Sequence, residues 1–286
     1  MRQFIVSSVP DKNGIISVSG KDFRYLRQVL RVKIGDMINV RLSDGTLSNT
    51  TVCNILENQK QIQLQICQKG SADESVTRGV QAEQIVSSNS SIEYWLFQFI
   101  PKASKMEQII RQATECGIKN IVPVIGEYSQ KNNVLAMESS KKDRFLRIVR
   151  EARQQSGSPV ETTILDAVSL KEAISLWNEE TLDDGEKAAV VLWECCEQTK
   201  TVHEVLSKSD IKKVAIVIGS EGGISPSEIQ ELSLNGFIPI HFDTNILRCE
   251  TAALYGIAAV QCALLENKKW ELLYLSHLLL LLQFFV

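Results

Sequence analysis

The chain has no CxxC pair, and its three histidines, His203, His241 and His277, are scattered. No metal site is therefore expected. Neither a G-x-G-x-x-G nor a G-x-x-x-x-G-K-[ST] string occurs, which disfavours a Rossmann dinucleotide site and a phosphate-binding P-loop. The N-terminus, MRQFIVSSVPDKNG, lacks the apolar core of a signal peptide. The seven cysteines form an odd set without framework spacing. Such a set reads as reduced thiols in a reducing compartment, so a cytoplasmic location is expected. There is also no overall excess of positive charge, the formal net charge being −3.

That average hides an asymmetry. Residues 1–70 carry ten Lys/Arg against five Asp/Glu, and residues 102–153 carry eleven against six. Residues 154–286 carry nine against nineteen. Two basic segments and an acidic one suit a protein that turns one face to a polyanion, although solvated helix faces give the same count. Long apolar runs are scarce until the C-terminus, where Trp270–Val286 is apolar almost throughout. At 17 residues, with Glu271, His277 and Gln283 inside, it is short for a membrane span and better suited to a buried or dimer-covering helix.

Residues 1–70 alternate short β-like runs (FIVSSV, GIISVSG, DMINVRL, TTVCNIL, QIQLQIC) with turn signals at Gly14, Gly20, Gly35-Asp36 and Asp44-Gly45. One amphipathic segment, DFRYLRQVLRV, interrupts them. This pattern predicts a small β-barrel-like domain with one helix. Residues 71–91 are polar and serine-rich and read as a linker. Beyond them, strand-like runs at 92–100, 120–125, 161–166, 188–193, 213–218 and 238–242 alternate with helical stretches. That alternation predicts an α/β domain with a mostly parallel sheet over 92–268. Ser104-x-x-Glu107 and Ser225-Pro226-Ser227-Glu228 both read as capped helix starts, with Gly117 as a stop for the first. In KKDRFLRIVREARQQ, Phe145, Ile148, Val149 and Ala152 fall at helical spacing, and Gly157-Ser158-Pro159 ends the segment.

The most informative stretch is VAIVIGSEGGISPSEI, residues 214–229. An apolar strand runs into Gly219-Ser220-Glu221-Gly222-Gly223 and then into a capped helix. Open α/β sheets bind ligands at the carboxyl ends of their strands, and glycines there let backbone N–H groups approach closely. In a second stretch, HFDTNILRCETAALYGIAAVQCALL (241–265), Arg248 and Glu250 stand at a loop–helix boundary. Alanines and Gly256 follow, permitting close packing.

Together these stretches resemble a known family, the bacterial 16S ribosomal RNA uridine N3-methyltransferases of the SPOUT (knotted) superfamily. IGSEGGIS (218–225) is similar to the family's glycine-rich cofactor loop, with Ser220 where proline is usual. NILRCETA (245–252) is similar to the second cofactor loop, with Cys249 for a frequent threonine. KASKMEQIIRQATECGI (102–118), RFLRIVREARQQSG (144–157) and Tyr128-Ser129-Gln130-Lys131 resemble further family segments. So does YLRQVLRVKIGD (25–36), where Tyr25 replaces a common histidine. The resemblance covers about residues 1–268 and leaves 269–286 without a counterpart.

It implies an N-terminal PUA-like β-barrel RNA-binding domain over 1–70, a linker over 71–91 and a SPOUT α/β domain over 92–268 with a C-terminal trefoil knot. It also implies a homodimer that uses S-adenosyl-L-methionine and acts on 16S rRNA or the small ribosomal subunit. The cofactor would be held by Ile218, Gly219, Ser220, Glu221, Gly222, Gly223, Ile246, Leu247, Arg248 and Thr251. N3 of uridine carries a weakly acidic proton that must leave. Glu221 or Glu250 could accept it, and Arg248 could stabilise the charge that develops. Phosphates would meet Arg2, Arg24, Arg27, Arg31, Lys33, Lys102, Lys105, Arg144, Arg147, Arg150 and Arg153. Two alternatives stay open here: a ribose 2′-O or guanine target in the same superfamily, and a non-enzymatic rRNA-binding assembly factor, to which the departures at Tyr25, Ser220 and Cys249 point.

Overall fold

The computed structural model describes residues 3–67, 92–138, 142–180, 186–197, 199–207 and 210–283, with the side chains beyond Glu266 outside that description. The linker expected at 71–91 and Arg2 therefore fall outside the described residues. The chain divides into two compact units, Met1–Asn89 with Arg150–Pro159, and Ser90–Val149 with Val160–Val286.

In the first unit, strands β1 (Phe4–Ile5), β2 (Ile15–Ser19), β3 (Met37–Arg41), β4 (Leu47–Leu56) and β5 (Gln61–Ile66) form a sheet of order β1-β3-β4-β5-β2. All pairings are antiparallel except β1–β3. Alternation explains the inner face: Ile16 and Val18 on β2, and Ile62 and Leu64 on β5, are buried, while Ser17 and Ser19 are exposed. The amphipathic segment expected between β2 and β3 forms helix α1 (Gly20–Arg24), continued by a π-helical turn over Tyr25–Val29. Phe23 and Leu26 drop from it into the sheet's core.

Residues 150–159, which the sequence reading placed in the second domain, group with this first unit. Gln3 explains the attachment. Its side-chain amide donates to the carbonyls of Arg153 (2.9 Å) and Ser158 (3.1 Å) and accepts from the buried Arg41 guanidinium (2.7 Å). Arg150 adds bonds to the Ile5 carbonyl and to Asp22, both at 2.8 Å.

In the second unit, β6 (Glu93–Phe99), β7 (Asn120–Ile125), β8 (Thr163–Ile164), β9 (Val168–Ser169), β10 (Lys187–Leu192), β11 (Lys213–Ile218) and β12 (Ile238–Ile240) build a parallel sheet. Its order is β12-β10-β11-β6-β7-β8, with β9 also on β7. The α/β expectation therefore holds. Strand β11 is buried along its whole length because both faces of a parallel sheet are covered. Val214, Ile216 and Ile218 enter the core that contains Met106, Ile109, Phe145, Ile148, Ile257 and Val260. Ala215 and Val217 enter the opposite core, where Trp95, Phe97, Trp177 and Phe237 meet with ring centroids 6.0–6.4 Å apart.

The helices of this unit are α2 (Ala103–Glu115), α3 (Lys131–Glu138), α4 (Lys142–Ser156, ending in the first unit), α5 (Leu170–Asn178), α6 (Val202–Leu206), α7 (Pro226–Leu234) and α8 (Cys249–Gln283). Ser225 caps α7 as expected, with a reciprocal bond from Glu228 and Pro226 in the first turn. The cap expected at Ser104 is corrected. Helix α2 starts at Ala103 with Lys102 as its N-cap and no side-chain cap of its own, which puts Ser104 inside the first turn. Gly117 does end it, at φ +77°. Helix α8 runs on to Gln283, so the backbone at 269–283 continues the helix that begins beside the second loop. Among the described residues no helix is long and apolar enough to cross a membrane.

Candidate active site

The carboxyl ends of β12, β10 and β11 lie side by side, and the chain leaves each of them into a loop. These loops and the start of α8 enclose a cleft of about 320 Å³. Small-molecule sites in open α/β sheets form at strand ends of this kind. The apolar wall includes Leu192, Ile218, Ile240, Phe242 and Leu247, and the polar wall Lys105, Glu194, Glu221, His241 and Arg248.

The glycine loop is shaped by its turn. Gly223 N–H donates to the Ser220 carbonyl (3.0 Å) and Gly223 has φ +77°. A Cβ on Gly219 would lie 2.8 Å from the Gly223 carbonyl carbon and 3.0 Å from its Cα, so only glycine lets this turn close. Gly222 faces the other way, where a Cβ would meet the Tyr128 side chain at 2.9 Å. The segment carrying Tyr128 is itself tied to α7: buried Glu228 accepts from Glu127 N–H (2.7 Å) and Ser225 N–H (2.8 Å).

At the back of the cleft, three segments meet at one ammonium. Lys105 Nζ lies 3.1 Å from Glu250 Oε2, 3.6 Å from Glu221 Oε1 and 3.9 Å from Cys249 Sγ. Glu221 Oε1 also accepts from the N–H of Lys102, the N-cap of α2 (3.1 Å), the bond expected from Glu107 in a capping box. Hydrogen bonding to Glu250 pushes the Lys105 pKa up. Burial acts against the Glu250 carboxylate, but its own backbone N–H, Lys105 and the Cys249 thiol outweigh it and hold the pKa below the ordinary value. Burial, reinforced by the bond to Glu250, pushes the Cys249 thiol up to about 12. Cys249 is thus an inert wall group at neutral pH.

Of the residues expected to hold a cofactor, Ile218, Gly219, Ser220, Glu221, Gly223, Ile246, Leu247 and Arg248 line the cleft. Gly222 and Thr251 do not line it, and Thr251 is exposed on the first turn of α8. Of the three candidate catalytic residues, Glu221 and Arg248 line it. Glu250 does not, and its side chain, 13% exposed, backs Lys105 instead. Lys105, expected on an RNA face, is turned into the site. Trp193, Glu194 and His241 were missed. The signal for them was available, since Trp193 and Glu194 follow directly on β10, the neighbour of β11, and His241 on β12 beside β10. His241 Nδ1 lies 3.2 Å from the Trp193 carbonyl.

The other expected RNA contacts are spread out. Arg24 and Arg31 are exposed on the first unit, Arg31 in a left-handed conformation (φ 56°). Arg27 pairs with Glu57 (2.6 Å), Arg144 with Glu107 (2.6 Å) and Arg150 with Asp22 (2.8 Å). Among the described residues no group of His, Cys, Asp and Glu can hold a metal ion.

Comparison with known proteins adds a family to this geometry. Residues 88–261 match the RNA methyltransferase domain family. The ribosomal RNA small subunit methyltransferase E of Buchnera aphidicola subsp. Schizaphis graminum is 29% identical over 249 residues, covering 87% of this chain and 91% of that protein. A putative methyltransferase of Legionella pneumophila, solved with the cofactor SAM, superposes with a TM-score of 0.71 at 23% identity, covering 91% of this chain and 97% of the other. The ribosomal RNA small subunit methyltransferase E of Neisseria gonorrhoeae, bound to S-adenosyl methionine, gives 0.69 at 21% identity, with 91% and 96% covered. The chain belongs to the RNA methyltransferase domain family.

Proposed function

We propose that this protein transfers the methyl group of S-adenosyl-L-methionine to N3 of one uridine in 16S ribosomal RNA, as a cytoplasmic homodimer. The proposal includes a SPOUT knot formed by the two loops at 218–225 and 245–252 and a PUA-like RNA-binding barrel over 1–70. One observation carries it: two strings 20 residues apart in the sequence wall the same cleft, whose floor turn admits no Cβ at Gly219. The cleft's size falls within the usual range for small-molecule sites, roughly 300–1,000 Å³. The named small-subunit methyltransferases among its relatives are of the same length class.

The cleft fits the cofactor chemically. Leu192, Ile218, Ile240 and Leu247 offer apolar faces to adenine, and the turn at 219–223 offers backbone groups to the ribose and methionine parts. Glu194 and Glu221 supply negative charge that complements a cationic ligand. When bound, the cofactor supplies an activated methyl group on a sulfonium. The chain's task is then to bring N3 into line with it and to remove the N3 proton. Glu221 is the carboxylate on the cleft wall suited to that step. Exposed Arg24 and Arg31 hold RNA through phosphates.

The test is calorimetric titration with S-adenosyl-L-methionine, followed by methylation of small-subunit rRNA and mass spectrometric mapping of the modified nucleotide. Saturable binding and N3-methyluridine at a single position are expected. Methylation of a ribose or a guanine would overturn the target, and folded protein without cofactor binding would overturn the activity.

A further inference from the structure

The cleft holds a cation that the reading above leaves without a task. Lys105 reaches into it from the first turn of α2, its side chain 24% exposed, with Glu250 bonded to it from behind at 3.1 Å. We propose that Lys105 is a further catalytic residue, whose ammonium stabilises the negative charge that develops on the uracil ring as N3 loses its proton, and that Glu250 is the residue that positions it. This inference rests on the proposed uridine N3 activity.

Before reaction, the negative charge nearest the open side of Lys105 is on Glu221, 3.6 Å away. The N3 proton passes to the Glu221 carboxylate, and the electron pair of the N–H bond stays on the ring, spread over N3 and its two neighbouring oxygens. That pair then forms the N–CH3 bond while the carbon–sulfur bond breaks towards sulfur, and a neutral thioether leaves. One negative and one positive charge disappear together, so the step balances. During it, negative charge moves from Glu221 to the ring, and Lys105 loses one carboxylate partner as the ring gains charge. An interaction that strengthens along this coordinate lowers the barrier, whereas one that is equal at both ends does not.

Arg248 is a poorer candidate for this task. It lines the same cleft but is exposed to solvent, where its field is screened. Lys105 is faced by groups from two elements. Glu221 faces it from the glycine loop, and Cys249 and Glu250 from the start of α8, while Glu194 and His241 stand elsewhere on the cleft wall. It is not itself the proton acceptor, because bonding to Glu250 keeps it protonated. A preorganised cation in a partly enclosed site is the arrangement that stabilises developing charge without reorganisation.

The experiment compares wild type, K105M, K105R and E250Q on transcribed small-subunit rRNA made with uridine or with 5-fluorouridine, whose N3–H is more acidic. On uridine, K105M should lose about 10²–10³-fold in kcat, the usual loss when one charge-stabilising donor is removed. The loss should shrink on 5-fluorouridine and at alkaline pH, where less help is needed to remove the proton. K105R should keep most of the rate and E250Q should fall between. Calorimetry should show that K105M still binds S-adenosyl-L-methionine. Loss of that binding, an equal loss of rate on both RNAs, or no loss at all would each overturn the role of Lys105. A wild-type protein that binds no cofactor or modifies another atom would overturn the underlying activity instead.

Discussion

The turn at Gly219 is the point at which a single methyl group should separate cofactor binding from folding. A Cβ there meets backbone atoms, the Gly223 carbonyl carbon at 2.8 Å and the Gly223 carbonyl oxygen and Cα at 3.0 Å. Backbone cannot rotate away as a side-chain end can, so Gly219→Ala must displace the turn by several tenths of an ångström. Inserting a methyl into a closed space typically costs about 1–3 kcal/mol. If that distortion is relieved by opening the cleft, the cofactor Kd rises by roughly 5- to 150-fold, since each 1.4 kcal/mol is about tenfold. Gly236→Ala supplies the control. Unlike Gly219, that residue needs a positive φ (+83°), but its Cβ would meet nothing within 4 Å and it does not line the cleft. It should lose about 1 kcal/mol of stability with an unchanged Kd. Calorimetry with S-adenosyl-L-methionine and thermal unfolding with and without it would read both quantities. A Gly219→Ala protein that binds within twofold of wild type would refute the claim that this turn forms the cofactor floor.

Two further outcomes follow from the same site. Glu250 has its pKa lowered on folding, so the unfolded chain binds more protons through the acid range. The stability it contributes is fully present above its unfolded value, about 4.3, and is lost as pH falls through the folded value. E250Q should therefore show a shallower decline of Tm on acidification than wild type, and parallel curves would contradict the Lys105–Glu250 pairing. Alkylation at neutral pH should modify the exposed Cys53, Cys195, Cys196 and Cys262, while the 5%-exposed Cys249, pushed up to about 12, reacts only after unfolding. Mass spectrometry that found native Cys249 labelled as fast as Cys53 would contradict this.

Local pattern carried the α/β layout because the central parallel strands are covered on both faces and so read as apolar runs with nothing else to satisfy. Val214–Ile218 is the clearest case, with β7 at 120–125 another. The cap of α2 was misread because the group that serves it, Glu221, lies 119 residues away. A spacing rule sees Ser104 and Glu107 and has no access to a partner on another loop. The attachment of residues 150–159 to the first unit was hidden for the same reason, since it depends on Gln3 reaching the carbonyls of Arg153 and Ser158. In the site, the two loops were legible as glycine and LR-x-ET strings, but which side chain faces inward was not. Helical phase turns Lys105 towards Glu250, and the start of α8 turns Glu250 away from the cleft and behind Lys105.

The turning inward of Lys105 also changes what the charge count of residues 102–153 means. Counted in sequence, all eleven cations of that segment are available to phosphate. In the structure, Lys142, Arg144 and Arg150 already face Asp166, Glu107 and Asp22, and Lys105 faces two carboxylates. These pairs are not equivalent. The exposed pairs of Lys142 and Arg144 are weak and are screened by salt, so a phosphate can replace the carboxylate at little cost, whereas half-buried Arg150 is also held by the Ile5 carbonyl. The pairing of Lys105 with the 13%-exposed Glu250 is shielded from that exchange. If the proposed activity holds, burial divides these cations: the exposed pairs of Lys142 and Arg144 would be free to exchange a carboxylate for phosphate, and the enclosed Lys105 would serve the reaction.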